Sequence, residues 1–312
     1  MITAEKKYIK VTSIQEAIHA TKENKTTSRY LAGGTDLMAN KFQGNENGTC
    51  LIDITGIDSL KKITKEDAYY HLGPLVTLSE ITKHPIIKKE IPALADAAHS
   101  VGTPLIRSTA TIGGNLLCEN RCLFYNQSAW WREAVGHCLK CNGDICIATG
   151  GANACFSEMV SDTAPVLISL ETSLKILNTT GEEKTVLLKD IYTGDGVKPR
   201  TLSTTDLITD IMVPVKQNCR SVFRKLRLRE SLEFTSLSSA VSIDINGKIR
   251  ITLAGMDPKP VYIETDANES LDALHKRLLK ASHPVNNDVF TRNYRRDMVR
   301  VFVEQSYKEL GI

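Results

Sequence analysis

Six of the eight cysteines lie close together in sequence: Cys118, Cys122, Cys138, Cys141, Cys146 and Cys155. Free cysteines are ordinarily scattered singly through cores, so such crowding calls for a shared partner. The choices are disulfides, a zinc ion or an iron–sulfur cluster. Disulfides belong to oxidising compartments and to small domains that cannot build a core. This chain has 312 residues, 42% of them hydrophobic. It opens Met1-Ile-Thr-Ala-Glu-Lys-Lys7 with no apolar stretch of the signal-peptide kind, and no run is long enough to span a membrane. A cytoplasmic location with reduced thiols is expected, which favours a metal or redox centre. Cys138-x-x-Cys141 has zinc-ribbon spacing, but Cys118-x3-Cys122 is only a loose second pair. The residues alone leave zinc and iron–sulfur both open.

Two glycine loops form the second constellation: Leu31-Ala-Gly-Gly-Thr-Asp36 and Thr111-Ile-Gly-Gly-Asn115. Paired glycines let backbone approach a ligand and adopt positive φ, and successive inward N–H groups make an anion-binding nest suited to a pyrophosphate. A single Gly-Gly pair is most often an ordinary turn. Neither loop matches the dinucleotide fingerprint or the phosphate loop. Together they point weakly to a nucleotide held by backbone amides. The charge balance, 39 basic against 36 acidic residues, gives no polyanion signature. The short basic clusters at 220–229 and 292–300 are interleaved with apolar residues, so nucleic acid is not an expected partner.

These residues need elements to position them. Ser13-Ile-Gln-Glu16 is a capping box that should open a helix near residue 14. Short strands are expected at Tyr30-Leu-Ala32 and from Cys50, then at Tyr69–Gly73. Helices should follow at Leu78–Thr82 and Ile86–His99, the latter interrupted near Pro92. An apolar stretch resumes at Ala164, and Ser173–Leu177 alternates as a strand. Asn246-Gly247 between two apolar runs is a strong hairpin signal. Ser270 should cap a helix to about Lys280, and a last helix carries Val299, Phe302, Val303, Ser306 and Leu310 on one face. The final part reads as an antiparallel sheet with helices on one side. Boundaries near 57 and 216 divide the chain into segments 1–57, 58–215 and 216–312.

Leu31–Asp36, Leu72-Gly-Pro-Leu-Val-Thr-Leu-Ser-Glu-Ile81, Val101-Gly-Thr-Pro-Leu-Ile-Arg-Ser-Thr-Ala-Thr-Ile-Gly-Gly-Asn115, Ser161-Asp-Thr-Ala-Pro165, Leu207–Pro214 and Phe223–Arg229 resemble, in order, the FAD-binding subunit of the molybdenum hydroxylase (xanthine oxidase) family. The resemblance covers nearly the whole chain. It implies an α+β architecture: a vanillyl-alcohol-oxidase (PCMH-type) FAD-binding fold in two subdomains, plus a C-terminal α/β domain like that of the carbon monoxide dehydrogenase flavoprotein. It implies that Leu31, Ala32, Gly33, Gly34, Thr35, Asp36 and Leu37 wrap the pyrophosphate of FAD. Val101, Ala110, Thr111, Gly114 and Asn115 would line the cofactor, Asp162 would bond its ribityl or adenosine portion, and Ile208 would pack on the ring. Lys225, or Arg224 beside it, would place a cation near the flavin.

The span from about 117 to 158 is an insertion of roughly forty residues, a size at which loops usually carry function. Arg121-Cys-Leu-Phe-Tyr-Asn-Gln-Ser-Ala-Trp-Trp-Arg132, Cys138-Leu-Lys140, Gly143-Asp-Ile-Cys146 and Cys155-Phe156 are similar to the flavin subunit of 4-hydroxybenzoyl-CoA reductases. That resemblance implies a [4Fe–4S] cluster on Cys122, Cys138, Cys146 and Cys155, with Cys118 and Cys141 outside the set. It further implies a molybdopterin-containing catalytic subunit, a small subunit with two [2Fe–2S] clusters, a ferredoxin-like electron donor and a dimer of heterotrimers. Electrons would pass from ferredoxin through the [4Fe–4S] cluster and FAD to molybdenum, to remove an aromatic hydroxyl. No residue of this chain is expected to be catalytic. The rivals are the same kind of subunit serving an N-heteroaromatic substrate, and a non-redox assembly subunit with structural zinc. Within the insertion, Trp130 and Trp131 should form a local core, and His137 should pack at the cluster's edge. Glu119, Asn120, Arg121, Lys140 and Asn142 should make an exposed loop. Cys50 and Cys219 should be ordinary buried cysteines.

Overall fold

The structure, a computed structural model, describes residues 6–24, 27–66 and 68–312. Most of the opening heptapeptide thus lies outside the described residues. Three sheets follow one another along the chain. The first is parallel, from β1 (Lys7–Lys10), β2 (Ser28–Leu31) and β3 (Cys50–Asp53) in the order β1-β3-β2. Its connections are the helices Ile14–Glu23 and Leu37–Phe42. The first helix starts where the sequence predicts, with Ser13 Oγ accepting from the Glu16 amide at 3.2 Å. Glu16, however, turns its carboxylate to the Thr12 amide at 2.8 Å, so the reciprocal bond of a capping box is made one residue earlier.

The second sheet is antiparallel, built from β4 (Ile63–Glu66), β5 (Tyr69–Leu72), β6 (Ser173–Leu177), β7 (Glu183–Leu187) and β8 (Leu207–Pro214) in the order β4-β5-β8-β6-β7. Between Leu72 and Ser173 the chain leaves this sheet. That excursion holds short helices at Leu78–Lys83, Pro85–Glu90, Pro92–His99, Pro104–Thr109 and Ile112–Leu116, then the cysteine insertion, then a fully buried helix, Thr163–Ser169. Prolines at the starts of the helices from 85, 92 and 104 sit where a missing N–H costs nothing.

The third sheet is a meander of β9 (Arg220–Leu226), β10 (Leu237–Ile243), β11 (Ile249–Ala254) and β12 (Val261–Thr265). The expected hairpin joins β10 to β11 with Ile243 opposite Ile249. Its loop is longer than two residues, because Asp244 Oδ1 accepts from the amides of Asn246 and Lys248, and Gly247 takes φ +76°. The two helices of this part, Leu271–Ala281 and Arg292–Leu310, share one core on one side of the sheet, but the other side is covered as well. Neighbours along a strand face opposite sides, and here both sides are packed. Val241 and Leu253 join a core with Val299, Phe302 and Val303 of the helix Arg292–Leu310. Ala240 and Ala254 join the core of the second sheet, which includes Val166 and Leu167. The C-terminal sheet is thereby fixed against the excursion that carries the cysteines.

One buried ion pair reinforces that junction. Arg295, fully buried, pairs with Glu158 and donates to the Gly255 carbonyl at 2.7 Å. Burial pushes the Glu158 carboxyl up, against the opposing pull of Arg295. Arg295→Met should destabilise the protein by about 3–5 kcal/mol at a pH where Glu158 is ionised, since its charge would then be unpaired in the interior. With Arg295 present burial already holds the Glu158 carboxyl up at about 8, and without Arg295 it would sit higher still, so the charge-dependent loss should be small at neutral pH and below and grow as pH rises past about 8. Thermal unfolding of both proteins from neutral to alkaline pH measures this.

Candidate functional site

A cavity of about 1000 Å³ opens where the first sheet, the helical excursion and the cysteine insertion meet. Both glycine loops line it: Ala32, Gly33, Gly34, Thr35, Asp36 and Leu37 from one, and Ala110, Thr111, Gly114 and Asn115 from the other. Val101, Asp162 and Ile208 also line it. Of the fifteen positions assigned to cofactor binding, Leu31 and Lys225 are the two not on its wall. Leu31 ends β2, and its side chain packs beneath Gly34, where it would meet any Cβ at 3.2 Å.

The reasons these glycines are needed differ. Gly34 takes φ +71°, a left-handed conformation that glycine adopts without penalty. Gly33 has no positive φ. Its constraint is proximity, because a Cβ there would stand 2.6 Å from the Thr109 carbonyl carbon and 3.1 Å from Ala110 Cα. The two loops therefore touch backbone to backbone. The N–H groups of Gly34, Thr35, Asp36 and Leu37 donate to no group among the described residues, and all four residues face the cavity. Unpaired amides of residues on a cavity wall suit an anionic group such as a pyrophosphate.

The second loop is held from behind. Asn115 Oδ1 accepts from Ser161 Oγ at 2.8 Å and from Thr163 Oγ1 at 2.6 Å, leaving the side-chain NH2 for a ligand. Asp162 sits beside it, only 4% exposed at its side chain, with Oδ2 bonded to Lys225 Nζ at 2.6 Å. Its other oxygen, Oδ1, is buried without a partner. An orphaned carboxylate oxygen on a cavity wall suits a hydroxyl donor such as a ribityl or ribose group. The residues present therefore fit FAD.

Lys225 lies behind Asp162 and is not on the cavity's wall. The Lys225 ammonium is buried under Asp162 and also donates to the carbonyls of Ser100 at 3.1 Å and Glu233 at 3.2 Å, so its influence reaches the cavity through Asp162. Arg224, on the opposite face of β9, bonds Ser306 and Glu309 of the last helix. Burial pushes the Asp162 carboxyl up, and Lys225 opposes this. Lys225→Met should therefore cost about 3–5 kcal/mol, whereas the double variant with Asp162→Asn should recover much of it by removing both charges together. Thermal unfolding of the two singles and the double completes the cycle.

The four expected ligand cysteines, Cys122, Cys138, Cys146 and Cys155, line one small cavity of their own. Cys118 instead faces the large cavity, and Cys141 is outside both linings. Among the described residues, no group of three or more His, Cys, Asp or Glu side chains is gathered closely enough to hold a metal ion. The cysteines border a space without converging on a point.

Other expectations about the insertion fail. Trp130 is 75% exposed and Trp131 only half-buried, so the local core is not theirs. It forms around Tyr125 and Arg132, both buried, with Arg132 donating to the Gln43 carbonyl at 3.0 Å. His137 is exposed. Nor is the segment an exposed polar loop. Asn120 is buried and donates to the carbonyls of Ser157 and Pro258, Arg121 pairs with Asp36, and Glu119 pairs with Lys140 and Arg200. Of that set Asn142 alone is exposed. Cys50 is buried as expected, but Cys219 is half-buried. Sequence reasoning also missed Arg200, Tyr125 and Phe234 on the large cavity's wall. Tyr125 lies within the Arg121–Arg132 motif without a role assigned to it, and no motif or charge pattern marks Arg200 or Phe234.

Residues 3–216 match the family of the FAD binding domain in molybdopterin dehydrogenase. The chain is 28% identical over 275 residues to the aldehyde oxidoreductase FAD-binding subunit of Escherichia coli, covering 84% of this chain and 86% of that one. It is 24% identical to the glyceraldehyde dehydrogenase medium chain of Sulfolobus acidocaldarius over the full length of both. Among solved structures it superposes on the carbon monoxide dehydrogenase of Hydrogenophaga pseudoflava with a TM-score of 0.76 at 19% identity, covering 99% of this chain and 98% of that one. The chain belongs to this family, the FAD-binding subunits of molybdenum hydroxylases, and so to the oxidoreductases. The α+β fold is that of the carbon monoxide dehydrogenase flavoprotein. No helix among the described residues is long and apolar enough to cross a membrane.

Proposed function

We propose that this chain is the flavin and iron–sulfur subunit of a molybdenum enzyme of the 4-hydroxybenzoyl-CoA reductase kind, which removes an aromatic hydroxyl reductively. The observation that carries the reading is the separation of the cysteines: Cys122, Cys138, Cys146 and Cys155 share one cavity, and Cys118 and Cys141 do not. Thiolates hold iron–sulfur clusters, and these four are the set that the sequence resemblance assigns to a [4Fe–4S] centre. When bound, FAD exchanges one or two electrons and so joins one-electron centres to a two-electron reaction. The chain's own residues bind and orient: the amides of 34–37 take the pyrophosphate, Asp162 takes a hydroxyl, and Ile208 and Val101 give apolar wall.

The partners in this reading are a molybdopterin-containing subunit, a small [2Fe–2S] subunit and a ferredoxin-like donor, assembled as a dimer of heterotrimers in the cytoplasm. The half-buried Glu119–Lys140–Arg200 group ties the insertion into the cavity wall. Deleting the insertion would therefore open the FAD site as well, so point substitutions are the cleaner probe. The test is the complex purified without oxygen. Flavin bands with a broad brown absorbance, iron and acid-labile sulfide, and reductive dehydroxylation of 4-hydroxybenzoyl-CoA are the expected results. Hydroxylation of an N-heteroaromatic ring instead would move the substrate to the rival reading, and stoichiometric zinc without sulfide would remove the cluster.

A further inference from the structure

Among the described residues, four cations line the large cavity: Arg29, Lys140, Lys198 and Arg200. Arg29 Nε pairs with Glu46 at 2.9 Å, and Lys198 is exposed, so water screens its charge. Lys140 Nζ donates to Glu119 Oε2 and to the Asn120 carbonyl, each at 3.2 Å, and lies over the Tyr125 ring. Arg200 is different. Its side chain is 17% exposed, it donates to the Cys118 carbonyl at 2.9 Å, and it pairs with the other Glu119 oxygen. Its remaining N–H groups, Nε among them, donate to no described residue. The backbone is fixed as well: Arg200 bridges to Tyr192 across the loop 193–199, and the Thr201 amide donates to the Ile191 carbonyl at 2.8 Å.

The residues that hold this guanidinium also border the first glycine loop. The Glu119 amide donates to Asp36 Oδ2 at 3.0 Å, and Arg121 pairs with Asp36 Oδ1. Arg200 therefore stands near the loop whose amides are unpaired. Two carboxylates, Asp36 and Glu119, face three cations, Arg121, Lys140 and Arg200. A partly buried corner with a cation in excess suits a bound anion. We propose that Arg200 binds the diphosphate of FAD together with the glycine-loop amides, and that Glu119 of the insertion holds it in position. The proposal rests on reading the large cavity as an FAD site and asks nothing of the cysteines. A planar guanidinium meets phosphate oxygens through two parallel N–H bonds, which a lysine cannot reproduce. Because Glu119 is shared with Lys140, it fixes Arg200 without cancelling its charge. The insertion thus serves the flavin site.

The test titrates the full chain, freed of flavin, with FAD and with riboflavin, which carries no phosphate, and follows flavin fluorescence. Arg200→Met should raise the FAD dissociation constant about 10- to 100-fold, the worth of a hydrogen bond to a charged group. Riboflavin binding should not change. Arg200→Lys keeps the charge without the fork, and its FAD affinity should fall between the two. High salt should weaken FAD binding more in the wild type than in Arg200→Met, because only the former retains the ionic contact. Unchanged FAD affinity in Arg200→Met, or an equal loss for FAD and riboflavin, overturns the proposal and leaves the amides as the diphosphate site. If Arg200→Met does not fold by circular dichroism, Arg200→Gln, which can still bond Glu119, decides in its place on the same criteria. If the wild type holds riboflavin too weakly to measure, an equal salt dependence in wild type and variant overturns the proposal. A wild type that binds no FAD overturns the FAD reading itself, and this inference with it.

Discussion

Gly33→Ala is expected to purify without flavin while its C-terminal sheet stays folded. A methyl group at Gly33 would intrude on the Thr109 carbonyl, and its nearest neighbours are all backbone atoms with no rotamer to yield. The loops must part or one must refold, which costs about 1–3 kcal/mol or more for an overpacked contact. Because the strain falls on the loops that form the cofactor nest, it should appear as weaker binding, about 10- to 100-fold at that cost. Gly114→Ala is the contrast. A Cβ there meets only Thr111 Oγ1, at 3.0 Å, and Gly114 faces the cavity with no positive φ. It should retain most of its flavin, whereas Gly114→Val would project into the cofactor space and lose it. Flavin content after gel filtration, with circular dichroism as the check on folding, ranks the three. Equal retention by Gly33→Ala and wild type would remove the first loop from the binding site.

The glycine pairs and the cysteines were legible in the sequence because each acts locally: a turn, a backbone contact or a thiol needs one residue type at one place. What stayed hidden depends on partners far apart in the chain. Lys225 reads as a cation beside a ligand until its partner Asp162, 63 positions away, is seen to take it. Nothing in the composition of 119–142 distinguishes a solvated loop from a wall of paired charges. The distinction is made by Asp36, Arg200 and the Pro258 carbonyl, all outside the insertion. The tryptophans misled for a related reason. A forty-residue segment could be expected to bury its largest side chains, but this one is anchored to the body of the protein at Asn120, Arg132 and Glu158, and so has no need of its own aromatic core. The β10 strand hid its double burial because Ser238, Ser239 and Ser242 break the apolar run, although all three are buried.

Serine in place of Cys122, Cys138, Cys146 or Cys155 should each cause loss of most of the iron and acid-labile sulfide, while flavin content stays near wild type. The expectation follows from the division of the cysteines between two cavities, since the four thiols face a space that no other cysteine reaches. Serine is nearly isosteric with cysteine but is a poor ligand for iron, so the substitution removes the bond with little change in packing. Cys155 is the position where packing is tightest: it bonds Ser157 Oγ at 3.4 Å, and a Cβ on Gly196 would meet its sulfur at 2.8 Å. Gly196→Ala should therefore also lower iron content, although it alters no thiol. Cys118→Ser and Cys141→Ser are the controls. Cys118 lines the large cavity and not the small one that the four share. Its substitution should leave iron and sulfide unchanged. Loss of iron in Cys141→Ser, with retention in Cys138→Ser, would exchange those two residues in the ligand set. Full iron content in all four single variants would mean that the cysteine cavity is not where the metal sits.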